Sequence, residues 1–434
     1  MELKVKLKQH TPLIHFQWDQ EGATLRATEV KPKLDRFLAT KNDYIKSIFE
    51  KRGSLPYKLK INGTYDNAIV KEIEPIKRNE KGETSQSGKP KRESFPAFFG
   101  NLRKEESEQH NNEEETYNPR YKFVFYNNLE LQFLSFEPEI LDAIKNNIAE
   151  FFFRYNFGTR QSKGFGSFYI HESDETYKEP DSFTKEPKQI TKYYFDLNIK
   201  SGNFYEKYKN LFSDIDLFYR TLRSGINIVN SKNGERVTVF YFKSIMFLYA
   251  KQKGWTWDKK AIKEKFVDQK ILDEQKKKHK YPDLLTFKGD NEYLVRDLLG
   301  LAPLQNYSSY KFHLQYDEEN EIQRFQSPII FKPIATDENN FRVYLILNHI
   351  PDEMFNKEFI INKKIDKENK TSGSMTLKTP PTDKRFDIED FLKYALTIDI
   401  EDHVDKNYQE DYRFKIIKNI YSQLKTIAGG SNGK

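Results

Sequence analysis

The chain has no cysteine, which removes disulfides, cysteine-ligated zinc, iron–sulfur clusters and thiol nucleophiles at once. Histidine is scarce too, eight in 434 residues, and no two form a His-x-x-x-His pair. No histidine-based metal site and no cofactor are therefore expected, although carboxylates alone could hold Mg²⁺. No uninterrupted apolar run approaches the roughly 20 residues of a membrane span. Met1 to Leu13 alternates Leu3, Val5 and Leu7 with Lys4, Lys6 and Lys8, the period of a strand and not a signal-peptide profile. A cytosolic protein with no membrane partner is the expectation. Neither sign of charge dominates: 72 Lys and Arg against 65 Asp and Glu give +7, which permits a nucleic-acid partner without demanding one.

What is present is length and aromatic content. A chain of 434 residues with 35 Phe and 26 Tyr is too long for one ordinary core, and can bury more than one. Helical and strand periodicities both occur, so the class expected is α+β. The strand at the start is followed by a helical pattern from Pro32 to about Lys51 and a strand over 57–62. Residues 75–118, basic and then acidic with little apolar content, read as a mobile insertion, either a linker or a contact to RNA or a neighbouring subunit. Tyr121–Phe136 alternates around Asn127-Asn128 as a β-hairpin would. Pro138 opens a helix to Phe153, and a glycine loop and a strand over 165–170 follow. This order is compatible with a ferredoxin-like sandwich in residues 1–171. Charged and proline-containing residues 172–189 read as a linker. The second half, 190–434, shows a strand over 191–199 and helices over 204–223, 237–253 and 291–300. Three strands between 310 and 348 and two terminal helices complete it.

The most informative stretch is Phe157 to Phe168. Gly158, Gly164 and Gly166 permit backbone turns barred to other residues and a close approach to a ligand. Among them stand Thr159, Arg160, Gln161, Ser162 and Lys163, with Phe165 beside the last two glycines. A basic, aromatic-flanked loop suits a polyanion with stackable bases, whereas the plain alternative is a turn with solvated charges. The run fits neither the phosphate-loop nor the dinucleotide glycine fingerprint, because it follows a helix. Its segment Lys163-Gly-Phe-Gly-Ser-Phe partly echoes the RNA-recognition consensus, whose exposed aromatics stack bases. A second cluster, Arg26, Lys31, Lys33 and Arg36, lies at the entry to the first helix and reads either as a phosphate track or as a solvated helix face. His10 and His15, with Tyr44 and Lys46, could be assembled into a metal-free RNA-cleaving site, though nothing in the spacing joins them.

These residues resemble a known signature. Gly-x-Arg-x-x-Lys-Gly-Phe-Gly-Ser after a helix is similar to the glycine loop of the RAMP superfamily of CRISPR-associated RNA-binding proteins. Leu25-Arg26-x-Thr28-x-Val30-Lys31-x-x-Leu34 resembles that family's first-helix entry. Arg324-x-x-Ser327-Pro328 through Lys332-Pro333, with Thr11-Pro12-Leu13, resembles the head subunit of type III-B (Cmr) effector complexes. Pro32 and Asp35 depart from the pattern, which prefers glycine and a basic residue there, and the insertion at 75–118 has no counterpart in it. The resemblance implies two ferredoxin-like (RRM-like) modules in tandem, carrying helical and disordered insertions. It implies a non-catalytic subunit that holds the 3′ portion of the CRISPR RNA and helps seat target RNA beside other Cmr subunits. Arg160 and Lys163 would contact phosphates, with Arg26, Lys31, Lys33 and Arg36 extending the track. The superfamily's guide-processing nucleases carry a histidine on the first helix, and residues 32–51 contain none. A guide-processing endoribonuclease, another head-end subunit of the same complex and a protein-only scaffold remain the alternatives.

Overall fold

The computed structural model describes residues 1–14, 25–63, 69–73, 121–200, 204–232, 235–278, 287–307, 312–365 and 371–430. The insertion expected at 75–118 lies outside them, as does His15. The chain is mixed α+β and forms two compact units, residues 1–215 with 330–346, and residues 216–329 with 347–434. No helix among the described residues is long and apolar enough to cross a membrane.

In the first unit the opening strand β1 (Glu2–Gln9) places Leu3, Val5 and Leu7 inward, as its alternation predicts. The short β2 (Leu13–Ile14) follows, then helices α1 (Ala27–Ala39) and α2 (Asp43–Arg52). These two replace the single helix expected from Pro32 to Lys51. The break is set by Asn42, whose side chain accepts the N–H groups of Tyr44 and Ile45 and so starts a new helix. Pro32 stands inside α1 on its exposed side, not in its first turn. Strands β3 (Tyr57–Asn62), β4 (Ile69–Ile73), β5 (Tyr121–Phe125) and β6 (Leu129–Ser135) lead to α3 (Pro138–Arg154), with proline at its first turn, and then to β7 (Phe168–Ile170).

Four of these strands form one antiparallel sheet in the order β3-β6-β1-β7. Leu129, Leu131 and Phe133 of β6 join the inward residues of β1. Against them pack Val30, Leu34, Phe37 and Leu38 of α1 and Ile140, Ile144, Ile148 and Phe151 of α3. The hairpin expected around Asn127-Asn128 does not form. The turn is there, with Asn128 at φ 57°, but β5 pairs with β2 and β4 in a separate sheet while β6 pairs with β1 and β3. Residues 172–189, expected as a linker, carry a short 3-10 turn whose Phe183 ring lies 4.9 Å from Phe153 in the core. A three-stranded sheet completes this unit, with Asn340–Leu347 at its centre between Ile329–Ala335 and Tyr194–Asn198.

The second unit holds a six-stranded mixed sheet. Its strands lie in the order Trp255–Trp257, Asn291–Tyr293, Thr371–Lys378, Glu358–Ile365, Phe312–Tyr316 and Leu304–Tyr307. Among the described residues no second four-stranded sheet repeats the order seen in the first unit. Two expected helices are corrected here. Of the helix expected over 237–253, Ile245–Gln252 forms, but Val237–Phe242 belongs to a strand, Glu235–Phe242, paired with Ile226–Lys232, as its β-branched and aromatic run favours. Residues 291–300 hold a three-residue strand and a 3-10 turn instead of a helix.

Candidate nucleic-acid interface

The glycine loop runs from the end of α3 to β7 and is tied at many points to its own unit. Phe157 donates its N–H to the Gly166 carbonyl at 3.0 Å, Gly166 to that of Pro12 at 2.8 Å, and Thr159 to that of Ile14 at 3.0 Å. The Thr11 hydroxyl donates to the Gly164 carbonyl at 2.6 Å and accepts the Ser167 N–H at 2.9 Å. Asn156 Nδ2 bridges the carbonyls of Gln161 and Phe331, each at 2.8 Å. Beneath both ends of the loop lies Lys332, fully buried, donating to the carbonyls of Tyr155 at 3.0 Å and Phe168 at 2.8 Å. Burial holds its pKa well below the usual lysine value. His10 is buried nearby, accepts the Ala335 N–H on Nδ1 at 3.1 Å, and is held well below its ordinary pKa by burial and then by the Lys332 charge.

The close approach that the glycines allow is to the protein itself. A Cβ on Gly164 (φ +90°) would stand 2.8 Å from Pro333 Cγ, and one on Gly158 would stand 2.7 Å from the Ile14 carbonyl oxygen. One on Gly166 would overlap the Phe157 carbonyl. Phe165 corrects the expectation of an exposed stacking ring: it is fully buried, stacked on Phe212 with centroids 3.6 Å apart. The aromatic positions of this motif complete a core. What faces outward is the polar stretch Thr159, Arg160, Gln161, Ser162 and Lys163, all half-buried, with the Lys163 ammonium itself shielded from solvent.

The basic residues of α1 divide by helical phase. Residues 29, 33 and 36 share one face, and 31 and 35 share another. Lys31 is therefore not brought to the loop: its ammonium binds Asp35 at 2.8 Å and the Leu55 carbonyl at 2.9 Å, and sits over the Tyr57 ring. Lys33 does meet the loop, donating to Gln161 Oε1 at 2.9 Å and to Glu29 at 3.2 Å. Burial pulls the Lys33 pKa down, against the pull of Glu29 in the other direction. Arg36 is exposed one turn further on and makes no ion pair among the described residues. Arg26 is half-buried at the N-cap of α1. Glu29, Asn156, Thr11, Lys332 and Pro333 were not anticipated as parts of the site. A signal existed for the last two, since a lone lysine inside Ile329-Ile-Phe-Lys-Pro-Ile334 must be held by specific acceptors if that run is buried. Parts of the other three segments that resemble the RAMP pattern, Thr11 and Pro12, Glu29 and Lys33, and Lys332 and Pro333, thus meet around the glycine loop.

Residues 1–226 match the family model of the Cmr1 N-terminal domain, and residues 241–425 that of the Cmr1 C-terminal domain. The chain belongs to the Cmr1 family. It is a Cmr1-like type III-B CRISPR-associated protein, and that membership implies a Cmr effector complex containing other subunits and RNA. No curated protein and no solved structure matches the chain.

Proposed function

We propose that this Cmr1-family chain is a non-catalytic RNA-binding subunit that holds the 3′ portion of the CRISPR RNA and helps seat target RNA. Its four-stranded sheet, reached in the order β-α-β-β-α-β apart from the extra helix α2 and the strands β2, β4 and β5 of a separate sheet, serves as a ferredoxin-like platform for the loop. One observation carries the reading. Glu29 and Lys33 clamp Gln161 and Gly158, which ties the loop to the face of α1 that carries the exposed Arg36 one turn further on. Cations beside an ordered backbone are what a phosphate track needs. In this conformation the phosphate contact falls to Arg160 and Arg36 more than to the shielded Lys163 ammonium. Titrating CRISPR RNA against an Arg36→Ala/Arg160→Ala variant tests it. The slope of log K against log salt should fall by about 1.4, near 0.7 for each phosphate no longer neutralised. Unchanged affinity and slope would remove the loop from the RNA path.

The nuclease alternative finds less support. His10 is buried and hydrogen-bonded, while Tyr44 is exposed on α2. Purified protein incubated with repeat RNA in EDTA should leave it intact. Specific cleavage abolished by His15→Ala would make the chain an enzyme after all.

A further inference from the structure

The helices pack on one side of the four-stranded sheet. Among the described residues the opposite face is uncovered over β3, β6 and β1, while at β7 Tyr169 is buried under residues 177–178. The strand register of this face arranges three rows across β1, β6 and β3: Glu2–Leu134–Lys58, Lys4–Gln132–Lys60 and Lys6–Glu130–Asn62. Lys8 continues the line on β1, beside Tyr169 of β7. Lys4, Lys6, Lys58 and Lys60 are exposed. Lys8 is held by Glu172 at 2.7 Å and Lys4 lies 3.6 Å from Glu2. Lys6, Lys58 and Lys60 have no ion pair or side-chain hydrogen bond among the described residues. On the central strand, between these lysine lines, Leu134 is 41% exposed, and Phe136, just past the strand end, is 100% exposed.

Folding does not require this pattern. The inward residues make the core, and the solvated face of an antiparallel sheet needs only polarity, which neighbouring opposite charges would supply with a small gain. Here lysines line both flanking strands, roughly 10 Å apart across β6 and about 6.8 Å apart along each strand. Lysines at that interval can each reach a phosphate of an extended single strand, which carries one negative charge per nucleotide. Gln132 and Glu130 offer hydrogen-bonding groups between the two lines, and Phe136 offers a free ring for a base. An acidic protein surface would satisfy the charge alone. A strand that alternates anionic backbone with flat bases satisfies the charge, the polar floor and the exposed ring together.

We propose that this outer sheet face binds a second stretch of single-stranded RNA, held chiefly by its phosphates, on the side of the sheet opposite the helices. It rests on RNA being the chain's ligand but not on the loop residues. The test uses the full chain with Lys6, Lys58 and Lys60 replaced by Gln, beside the Arg36→Ala/Arg160→Ala variant, titrated with single-stranded RNA between about 50 and 200 mM salt. The expected result is a salt slope lower by about 2, near 0.7 for each lysine removed, with the thermal midpoint unchanged. Phe136→Ala should weaken binding and leave the slope alone. Unaltered affinity and slope in the triple-lysine variant overturn the proposal, and if the arginine variant loses binding in parallel, the loop reading still stands. Normal RNA binding by the lysine variant with failed assembly onto the other subunits assigns the face to a protein and likewise overturns it. A wild-type chain that binds no single-stranded RNA overturns both.

Discussion

Glu29 Oε1 accepts the main-chain N–H of Gly158 at 2.9 Å while standing 3.2 Å from both Lys33 Nζ and Gln161 Nε2. A single carboxylate oxygen on α1 therefore fixes the start of the glycine loop and the cation beside it. Charge-assisted hydrogen bonds of this kind contribute about 1.5–3 kcal/mol when partly buried. Glu29→Ala should lower stability by about 2 kcal/mol and raise hydrogen exchange at Gly158 and Gln161. Glu29→Gln keeps an acceptor for Gly158 and removes the charge, so the Gly158 amide should stay protected while Lys33 loosens. RNA affinity should follow loop order, lower in the alanine variant than in the glutamine one. Equal protection in all three proteins would mean that the loop is ordered without the clamp.

Two left-handed glycines separate backbone strain from crowding. Gly166 (φ +64°) has the Phe157 carbonyl where a Cβ would be, whereas Gly53 (φ +73°), ending α2, has nothing within 4 Å. Gly53→Ala should cost only the left-handed strain, about 1 kcal/mol. Gly166→Ala adds a clash with fixed backbone and should cost about 2–4 kcal/mol in total. Thermal unfolding of the two variants checks this directly. Equal midpoints would show that the loop yields easily at Phe157, contrary to the packing around it.

The first unit was legible where one face of an element is apolar. The alternation in Glu2–Gln9 and the apolar spacing in Pro138–Arg154 name their own partners, and both elements form where expected. Pairing across distance was not legible. Tyr121–Phe136 has the periodicity and turn of a hairpin, yet which sheet each strand joins is decided by β1 and β2, more than 100 residues earlier. In the loop the residue types were readable and their directions were not. Phe165 in a basic motif reads as a stacking ring until Phe212 is found against it. Lys31 and Lys33 look alike in sequence, but a turn of roughly 200° around the helix sends one to Asp35 and the other to Gln161.

Lys332 gives the loop a pH dependence whose sign can be worked out. Its folded pKa lies well below 10.5 because burial disfavours the ammonium, while the unfolded chain holds the proton until about pH 10.5. Between those two values the unfolded state binds more protons, so this group makes stability rise with pH, by at most about 1.4 kcal/mol per unit. Below the folded pKa both states are protonated and the burial penalty is present in full. The neutral amine has two N–H groups, and the structure provides two acceptors, the carbonyls of Tyr155 and Phe168. Lys332→Met removes the titration and leaves both carbonyls without that donor. The stability gap between wild type and variant should therefore widen in favour of wild type as pH rises across the alkaline range towards about 10.5, measured by urea unfolding at each pH. Groups that do not feel the Lys332 charge cancel in that difference, and His10, which does, has its pKa well below 6.5 and so titrates below this range. A gap that stays level or narrows would mean that the lysine keeps its proton in the fold, with the surrounding carbonyls able to hold a full charge.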